Sequence, residues 1–308
     1  MEDLELLQLP LAFQNGSARL LTGGLVVRDI ERWCDRKAEK GGVKSVMAVV
    51  FFNTGADAID YVKIKAHVAA RAGVSYWVYE MPVDASTTQV MSQVKKLNKN
   101  PRIHGILIQR PLPPQLNEPE IMRSIKPIKN IEEYAKGRAN NIAADALVRL
   151  LTKYGLRESA QQAKIQIVGF GNIITKEFIK QMKSQFPYVG ASRDFDPSYD
   201  ASKEDLQMQA EKPRDSIIIS ELHHGPGFIK SSMVKPEVSV LVDLGFYVTE
   251  KGVLGDVSHV LFDRSGLAIA PTPGGVLPIL LWIMMERTIK AKNLITKEEM
   301  QGCYCVAM

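Results

Sequence analysis

The sequence predicts an α/β protein made of two α/β domains facing a cleft, the second Rossmann-like, with a C-terminal helix returning to the first. Three observations carry this expectation. Between residues 24 and 109, helical segments alternate with continuously apolar runs, as in a parallel sheet covered on both faces. A second alternation opens at Ile165-Gln-Ile-Val-Gly-Phe-Gly171, a strand that breaks in glycines before a helix. A long apolar helix then follows Pro271-Thr-Pro-Gly-Gly275, and it is placed back on the first domain.

The elements follow in order. Gly24 to Lys40 carries apolar residues at helical spacing and stops at Gly41-Gly42. Val46 to Phe52 is the first buried strand. Ala56 to Ala72 is a helix ended by Gly73, Val74 to Glu80 a strand, and Ser86 to Leu97 a helix. Ile103 to Gln109 is the third strand, and strands joined through helices run parallel with right-handed connections. Pro111-Leu-Pro-Pro114 closes this unit, and a polar stretch from Lys126 to Asn141 leads to a helix at Ala143 to Tyr154. After the glycine turn come a helix from Asn172 to Ser184 and strands at Ser216–Ser220, Val238–Leu244 and Gly266–Ala270. The last helix runs through Lys292. Residues 1–145 plus 276–308 are therefore expected to form the catalytic domain, and residues 146–275 the Rossmann-like one.

Composition narrows the function classes. With 45% apolar and 24% charged residues the chain is ordinary globular material, and its 22 Gly and 16 Pro are scattered rather than pooled as in a disordered chain. The longest apolar stretch, Val276 to Met285, is far shorter than the ~20 residues of a membrane-spanning helix. The net charge of +5 is dispersed, as in Asp29-Ile-Glu-Arg-Trp-Cys-Asp-Arg-Lys37, so no nucleic-acid stripe forms. A mild excess suits a small anionic ligand.

Cys34, Cys303 and Cys305 form no paired framework, and the five histidines make no zinc spacing with them. A reducing, cytoplasmic setting without a metal is expected. MEDLELLQLP lacks the basic start and apolar run of a signal peptide. Cys305-Val-Ala-Met308 fits a prenylation pattern, with Cys303 as a second lipid position. No polybasic segment precedes it, so one chain would anchor only marginally and an unmodified tail is the plainer expectation.

Four constellations can carry chemistry. Tyr61 and Lys65 lie four apart, so a phenol and an amine share a helix face. Partial burial would lower the pKa of that lysine. Gln109 ends an apolar strand, placing a carboxamide at the C-terminal edge where open α/β sheets bind ligands. His104, at the start of the same strand, reads as structural. Gly169, Phe170, Gly171, Asn172 and Ile173 follow a strand and open a helix, a setting in which backbone N–H groups meet an anion. The full GxGxxG is absent, because position 174 is Ile. Finally, Pro273, Gly274 and Gly275 precede the last helix, where prolines fix the approach and glycines allow close backbone contact.

Taken together, these segments resemble the bifunctional methylenetetrahydrofolate dehydrogenase/methenyltetrahydrofolate cyclohydrolase family, over residues 23 to 293. The carriers are Tyr61-Val-Lys-Ile-Lys65, His104-Gly-Ile-Leu-Ile-Gln-Arg-Pro-Leu-Pro113 and Gly227-Phe-Ile-Lys-Ser-Ser-Met-Val-Lys-Pro236. Val242-Asp-Leu-Gly245, Gly255-Asp-Val257 and Pro271-Thr-Pro-Gly-Gly-Val276 complete the set. The resemblance implies a folate cleft, NADP or NAD on the second domain, and a homodimer. It makes Lys65 the catalytic lysine, with Tyr61 beside the folate and Gln109 orienting or tuning the amine. Glu132, Pro273, Gly274 and Gly275 would contact the substrate.

The departures are specific. The family's Lys-Asp-Val-Asp-Gly falls on Lys129-Asn-Ile-Glu-Glu133, so Glu132 supplies the carboxylate one methylene further out. Its Pro-Cys-Thr-Pro loop falls on Asn141-Ile-Ala-Ala144, and the serine before the tyrosine is Ala58. Gly-Arg-Ser becomes Gly169-Phe-Gly171, without the pair that suits a 2′-phosphate, and Arg193 is the candidate to compensate. A second function class therefore stands beside the enzyme: a degenerate homologue acting as a binding or regulatory subunit, or a cyclohydrolase without efficient dehydrogenase.

Overall fold

The computed structural model describes residues 16–38, 44–132, 141–169, 173–191, 216–250 and 252–306. In chain order the elements begin with β1 (Arg19–Leu20), α1 (Gly24–Ala38), β2 (Ser45–Phe52), α2 (Ala56–Arg71), β3 (Val74–Met81), α3 (Thr87–Lys99) and β4 (Gly105–Ile108). Next come α4 (Glu118–Ser124), α5 (Ile142–Lys153), α6 (Arg157–Gln162), β5 (Lys164–Gly169), α7 (Lys176–Gln185) and β6 (Val189–Ala191). The chain continues with β7 (Ser216–Glu221), β8 (Val238–Asp243), β9 (Tyr247–Thr249), β10 (Gly252–Leu254), β11 (Ala268–Ala270) and α8 (Val276–Val306). Contacts divide it into two units: Arg28–Ile142 with Leu281–Met308, and Met1–Val27 with Ala143–Leu280.

The first unit holds a parallel sheet ordered β3–β2–β4. All eight residues of the central strand β2 are buried, which is why Ser-Val-Met-Ala-Val-Val-Phe-Phe shows no polar alternation. Val46, Ala48, Val50 and Phe52 pack on one face with Ile106, Ile108 and the α3 residues Val90, Val94 and Leu97. Ser86 starts α3 with a capping box: its hydroxyl accepts from Gln89 N–H while the Gln89 side chain accepts from Ser86 N–H. On the opposite face a Cβ at Gly105 would lie 2.8 Å from Thr288 Oγ1 and 2.7 Å from Ile131 Cγ2. Only a glycine lets α8 approach β4 so closely. The returning helix is thus a structural layer of this unit, and it extends well past the expected end at Lys292.

The second unit holds a six-stranded parallel sheet, ordered β1–β11–β8–β7–β5–β6. Its core gathers Val168, Ile218, Leu241 and Ile269 from four adjacent strands. The two-residue strand β1 adds in parallel to β11, pairing Arg19 with Ala268, so residues 16–27 group here rather than with the first unit. Helix α7 begins at Lys176 rather than Asn172, because Thr175 takes the N-cap and accepts from Phe178 N–H. The antiparallel β9–β10 ribbon, β6, α4 and α6 are short elements with too little periodicity to read in advance. Among the described residues no helix is long and apolar enough to cross a membrane.

Candidate active site

In the first unit the strand order reverses between β2 and β4, since the chain passes from β2 to β3 on one side and returns to β4 on the other. The C-terminal ends of such a strand pair flank the crevice where open α/β sheets bind ligands. Gln109 follows β4 at this edge, its N–H extending the ladder to Val50 O at 2.9 Å. Helix α2, which follows β2, carries Tyr61 and Lys65 one turn apart.

Lys65 is buried, with Nζ 5.2 Å from the Tyr61 ring centroid. Desolvation lowers its pKa to about 8; Glu132 opposes that shift and Arg110 adds to it. The ring face gives partial compensation to the ammonium form. The result is an amine that exchanges protons close to neutral pH, the property required of a general acid–base.

Arg110, which the sequence did not single out, pairs with Glu132, the carboxylate that acts on this amine, and with Glu118. Its Nη1 meets Glu132 Oε1 at 2.6 Å, and its Nη2 meets Glu118 Oε1 at 2.6 Å. Glu132 and Glu118 hold the guanidinium firmly charged, against the effect of burial. Glu132 Oε2 and Gln109 Oε1 are buried acceptors with no hydrogen-bond partner among the described residues. Gln109 Nε2 donates to Arg110 O, and no hydrogen bond joins Gln109 to Lys65. The groups that act on the charge of Lys65 are therefore Glu132 and Arg110. Buried acceptors left unpaired are costly, and a ligand bearing N–H donors relieves that cost.

The segment that carries Glu132 is held by three hydrogen bonds from two residues. Arg287 of α8 donates to Ile131 O at 2.9 Å and to Glu132 O at 3.0 Å, and Ile142 N–H donates to Glu132 O at 3.1 Å. Lys129 is spent on structure: its Nζ meets the carbonyls of Leu97, Asn98 and Asn100 at 3.3, 3.0 and 2.8 Å, closing the C-terminus of α3. His104 is structural as expected. Its Nδ1 accepts from Val46 N–H at 3.1 Å, and burial, with Lys292 and Lys129, lowers its pKa to about 4.

In the second unit the strand order reverses between β5 and β7. Gly169 ends β5 at φ +88, and a Cβ there would lie 2.0 Å from Glu221 O. Only glycine fits this position. Phe170, Gly171, Asn172 and Arg193 lie outside the described residues. Ile173 N–H is described, and it donates to the buried side chain of Glu221, a residue the sequence reading passed over. The reversal of strand order suits a dinucleotide, and the Ile173 N–H beside it is already paired with the Glu221 side chain.

Pro273, Gly274 and Gly275 form the tight entry to α8. Gly275 N–H donates to Pro271 O at 2.8 Å, Gly23 N–H to Gly274 O at 2.7 Å, and the Thr272 hydroxyl to Asp243 O at 2.7 Å. Asp243 is itself a buried hub. It accepts from the N–H groups of Gly245, Asp256 and Val257, while burial and Asp256 push its carboxyl well above the usual range. This network shapes the loops after β8, and it explains the Val242-Asp-Leu-Gly245 and Gly255-Asp-Val257 signatures as architecture.

These features define an α/β protein with one unit presenting a buried amine at a sheet edge and another built on a dinucleotide-type sheet. Residues 21–132 match the tetrahydrofolate dehydrogenase/cyclohydrolase catalytic domain, and residues 141–296 match the NAD(P)-binding domain of the same family. The chain belongs to the tetrahydrofolate dehydrogenase/cyclohydrolase family. It is 30% identical to the bifunctional protein FolD of Wolinella succinogenes over 269 residues, 84% of this chain and 89% of that one. Its fold is similar to that of the bifunctional FolD methylenetetrahydrofolate dehydrogenase/cyclohydrolase of Campylobacter jejuni, at a TM-score of 0.75 and 22% identity, covering 90% of this chain and 99% of that one. The Trypanosoma brucei FolD, complexed with NADP and an inhibitor, gives a TM-score of 0.73 at 18% identity, covering 90% and 97%.

Proposed function

We propose that this chain interconverts folate one-carbon units: NADP- or NAD-dependent oxidation of 5,10-methylenetetrahydrofolate and hydrolysis of 5,10-methenyltetrahydrofolate, with Lys65 as the proton carrier. The carrying observation is the buried amine of Lys65, its pKa lowered to about 8, over the ring of Tyr61. A bound dinucleotide supplies the hydride acceptor. Hydrolysis needs only this chain's own groups and water. The neutral Lys65 amine takes a proton as water adds to the cationic methenyl carbon, and the resulting ammonium gives it to the ring nitrogen as the C–N bond breaks. The adduct's hydroxyl loses its proton to solvent as the formyl carbonyl forms, so one proton is released overall. Tyr61 supports the ammonium through its ring face.

In this proposal the unpaired acceptors Glu132 Oε2 and Gln109 Oε1 receive N–H donors of the folate. The family resemblance alone assigns Pro273, Gly274 and Gly275 to the substrate. Gly169 to Ile173, with Arg193, serve the dinucleotide. Retention of Tyr61, Lys65 and Gln109, together with family membership over both units, weighs against a non-catalytic subunit. We further assign the protein to the cytoplasm as a homodimer, without a nucleic-acid partner. Loss of methenyltetrahydrofolate absorbance on adding purified protein tests the central assignment. A rate no faster than the buffer alone, with correctly folded protein, overturns it.

A further inference from the structure

We infer that Glu221 is a resident anion at the dinucleotide turn, a specificity-determining residue whose carboxylate the diphosphate of the cofactor must displace, so that this chain holds NAD and NADP weakly. The inference rests on the dinucleotide assignment of the second unit and concerns the strength of that binding.

Glu221 is the last residue of β7 and pairs in register with Gly169, the last residue of β5. These two strand ends flank the reversal of strand order, the place where a doubly wound sheet receives a dinucleotide. The carboxylate is buried and does not face solvent. Its Oε1 and Oε2 accept from Ile173 N–H, both at 3.0 Å, and Oε2 accepts from Ile174 N–H at 2.7 Å.

Ile173 and Ile174 immediately precede Thr175, the N-cap of the ten-residue helix α7. Backbone donors at such a strand–turn–helix junction are the ones that cradle a phosphate, with the helix dipole in support. Here a carboxylate of the same chain occupies them. An incoming diphosphate meets a like charge in a desolvated place and finds its donors in use. It binds only by breaking charge-assisted hydrogen bonds that already satisfy the turn.

The sequence carries the signal. Ile217-Ile-Ile-Ser-Glu221 is an apolar strand that ends in an acid, and a buried carboxylate must find donors.

The test compares wild type with Glu221→Gln and Glu221→Ala by calorimetric titration of NAD and NADP, a readout independent of turnover. Glu221→Gln keeps the shape and one acceptor while removing the charge, so it stands in if Glu221→Ala fails to fold. Both dinucleotides should bind the variant about 10- to 100-fold more tightly, the scale of a charged hydrogen bond relieved. Adenosine, which has no diphosphate, should bind variant and wild type alike. Equal dinucleotide affinities in wild type and folded Glu221→Gln overturn the inference, as does weaker binding in the variant or an equal tightening of adenosine. Absence of dinucleotide binding in all proteins also overturns it. Hydrolysis of methenyltetrahydrofolate by wild type needs no dinucleotide, so its failure would count against the proposed function alone.

Discussion

The two sheet edges at which strand order reverses are finished in opposite ways. At the β2/β4 edge two buried acceptors, Gln109 Oε1 and Glu132 Oε2, have no hydrogen-bond partner among the described residues, and the Lys65 amine is kept easy to deprotonate. At the β5/β7 edge the described donors, Ile173 and Ile174 N–H, are already paired with Glu221. Unpaired buried polarity is a cost the fold carries until a ligand removes it. Paired polarity is a gain that a ligand must first undo. On the proposed assignments, the first edge offers acceptors to a substrate, and the second holds donors that a cofactor diphosphate must first free from Glu221.

The strongest way to break this contrast is Lys65→Met, which keeps the apolar stem and removes the amine. Methenyltetrahydrofolate hydrolysis should fall ~100-fold or more, the usual scale for losing a general acid–base. Stability should hold or rise at pH 7. The folded-state pKa is about 8 against an ordinary 10.5, so below pH 8 the folded state bears the cost of a buried charge. That cost is relieved as pH rises from about 8 towards 10.5. Wild-type turnover in a folded Lys65→Met protein would remove Lys65 from the mechanism.

At the other edge, Gly169→Ala tests how rigidly the glycine turn is set. A residue with a Cβ is strained at φ +88, and this Cβ would meet Glu221 O at 2.0 Å. The expected loss is on the order of 1–3 kcal/mol for the backbone alone, more with the overlap. Thermal unfolding measures it, and an unchanged melting temperature would show that the turn relaxes freely.

A smaller pair of effects sharpens the account of Lys65. Glu132 raises its pKa and Arg110 lowers it, so the two substitutions should move the acid limb of the pH–rate profile in opposite directions. Glu132→Gln shifts the limb to lower pH. Arg110→Met shifts it to higher pH, because it removes a cation and also frees Glu132 from its ion pair. Gln109→Ala should cost only a few-fold in rate and leave the limb in place, since its carboxamide is uncharged and has no hydrogen bond to the amine. Limbs that moved together, or a large shift in Gln109→Ala, would contradict this division of roles.

What the sequence made legible is what is local. Tyr61 and Lys65 could be placed together because helical spacing alone brings them onto one face, and Gln109 because an apolar strand ending at a proline has a definable edge. The ion pairs of Arg110 reach Glu118 and Glu132, and nothing in the intervening residues specifies that reach. Glu221 meets Ile173 only because β5 and β7 are neighbours in the sheet, although β6 separates them in the chain. Strand β1 was unreadable for the same reason: two residues become a strand only when β11 offers its edge. The long-range partners of charged side chains are set by tertiary packing, and they decide the character of both edges.

The smallest expected effect lies on a single strand. His104 N–H donates to Val46 O just before β4, and Gln109 follows the end of that strand, so one polar side chain stands at each end of the same apolar run. They differ in partnership: His104 Nδ1 is satisfied by Val46 N–H, whereas Gln109 Oε1 has no hydrogen-bond partner among the described residues. His104 should therefore matter to folding and Gln109 to the ligand. The imidazole titrates near 6.5 in the unfolded chain and at about 4 when folded. Between those values the unfolded state binds a proton that the folded state does not, so stability is lost as pH falls from about 6.5 towards 4. Below that range both states are protonated and the slope contributed by His104 vanishes. His104→Asn offers a neutral acceptor to Val46 N–H and removes the titration. Denaturant unfolding at pH 7 and pH 5 should show a smaller loss between the two pH values for the variant than for wild type, with methenyltetrahydrofolate hydrolysis at pH 7 unchanged. An equal loss in both proteins would place the acid sensitivity elsewhere, and a fall in hydrolysis would bring His104 into the site after all.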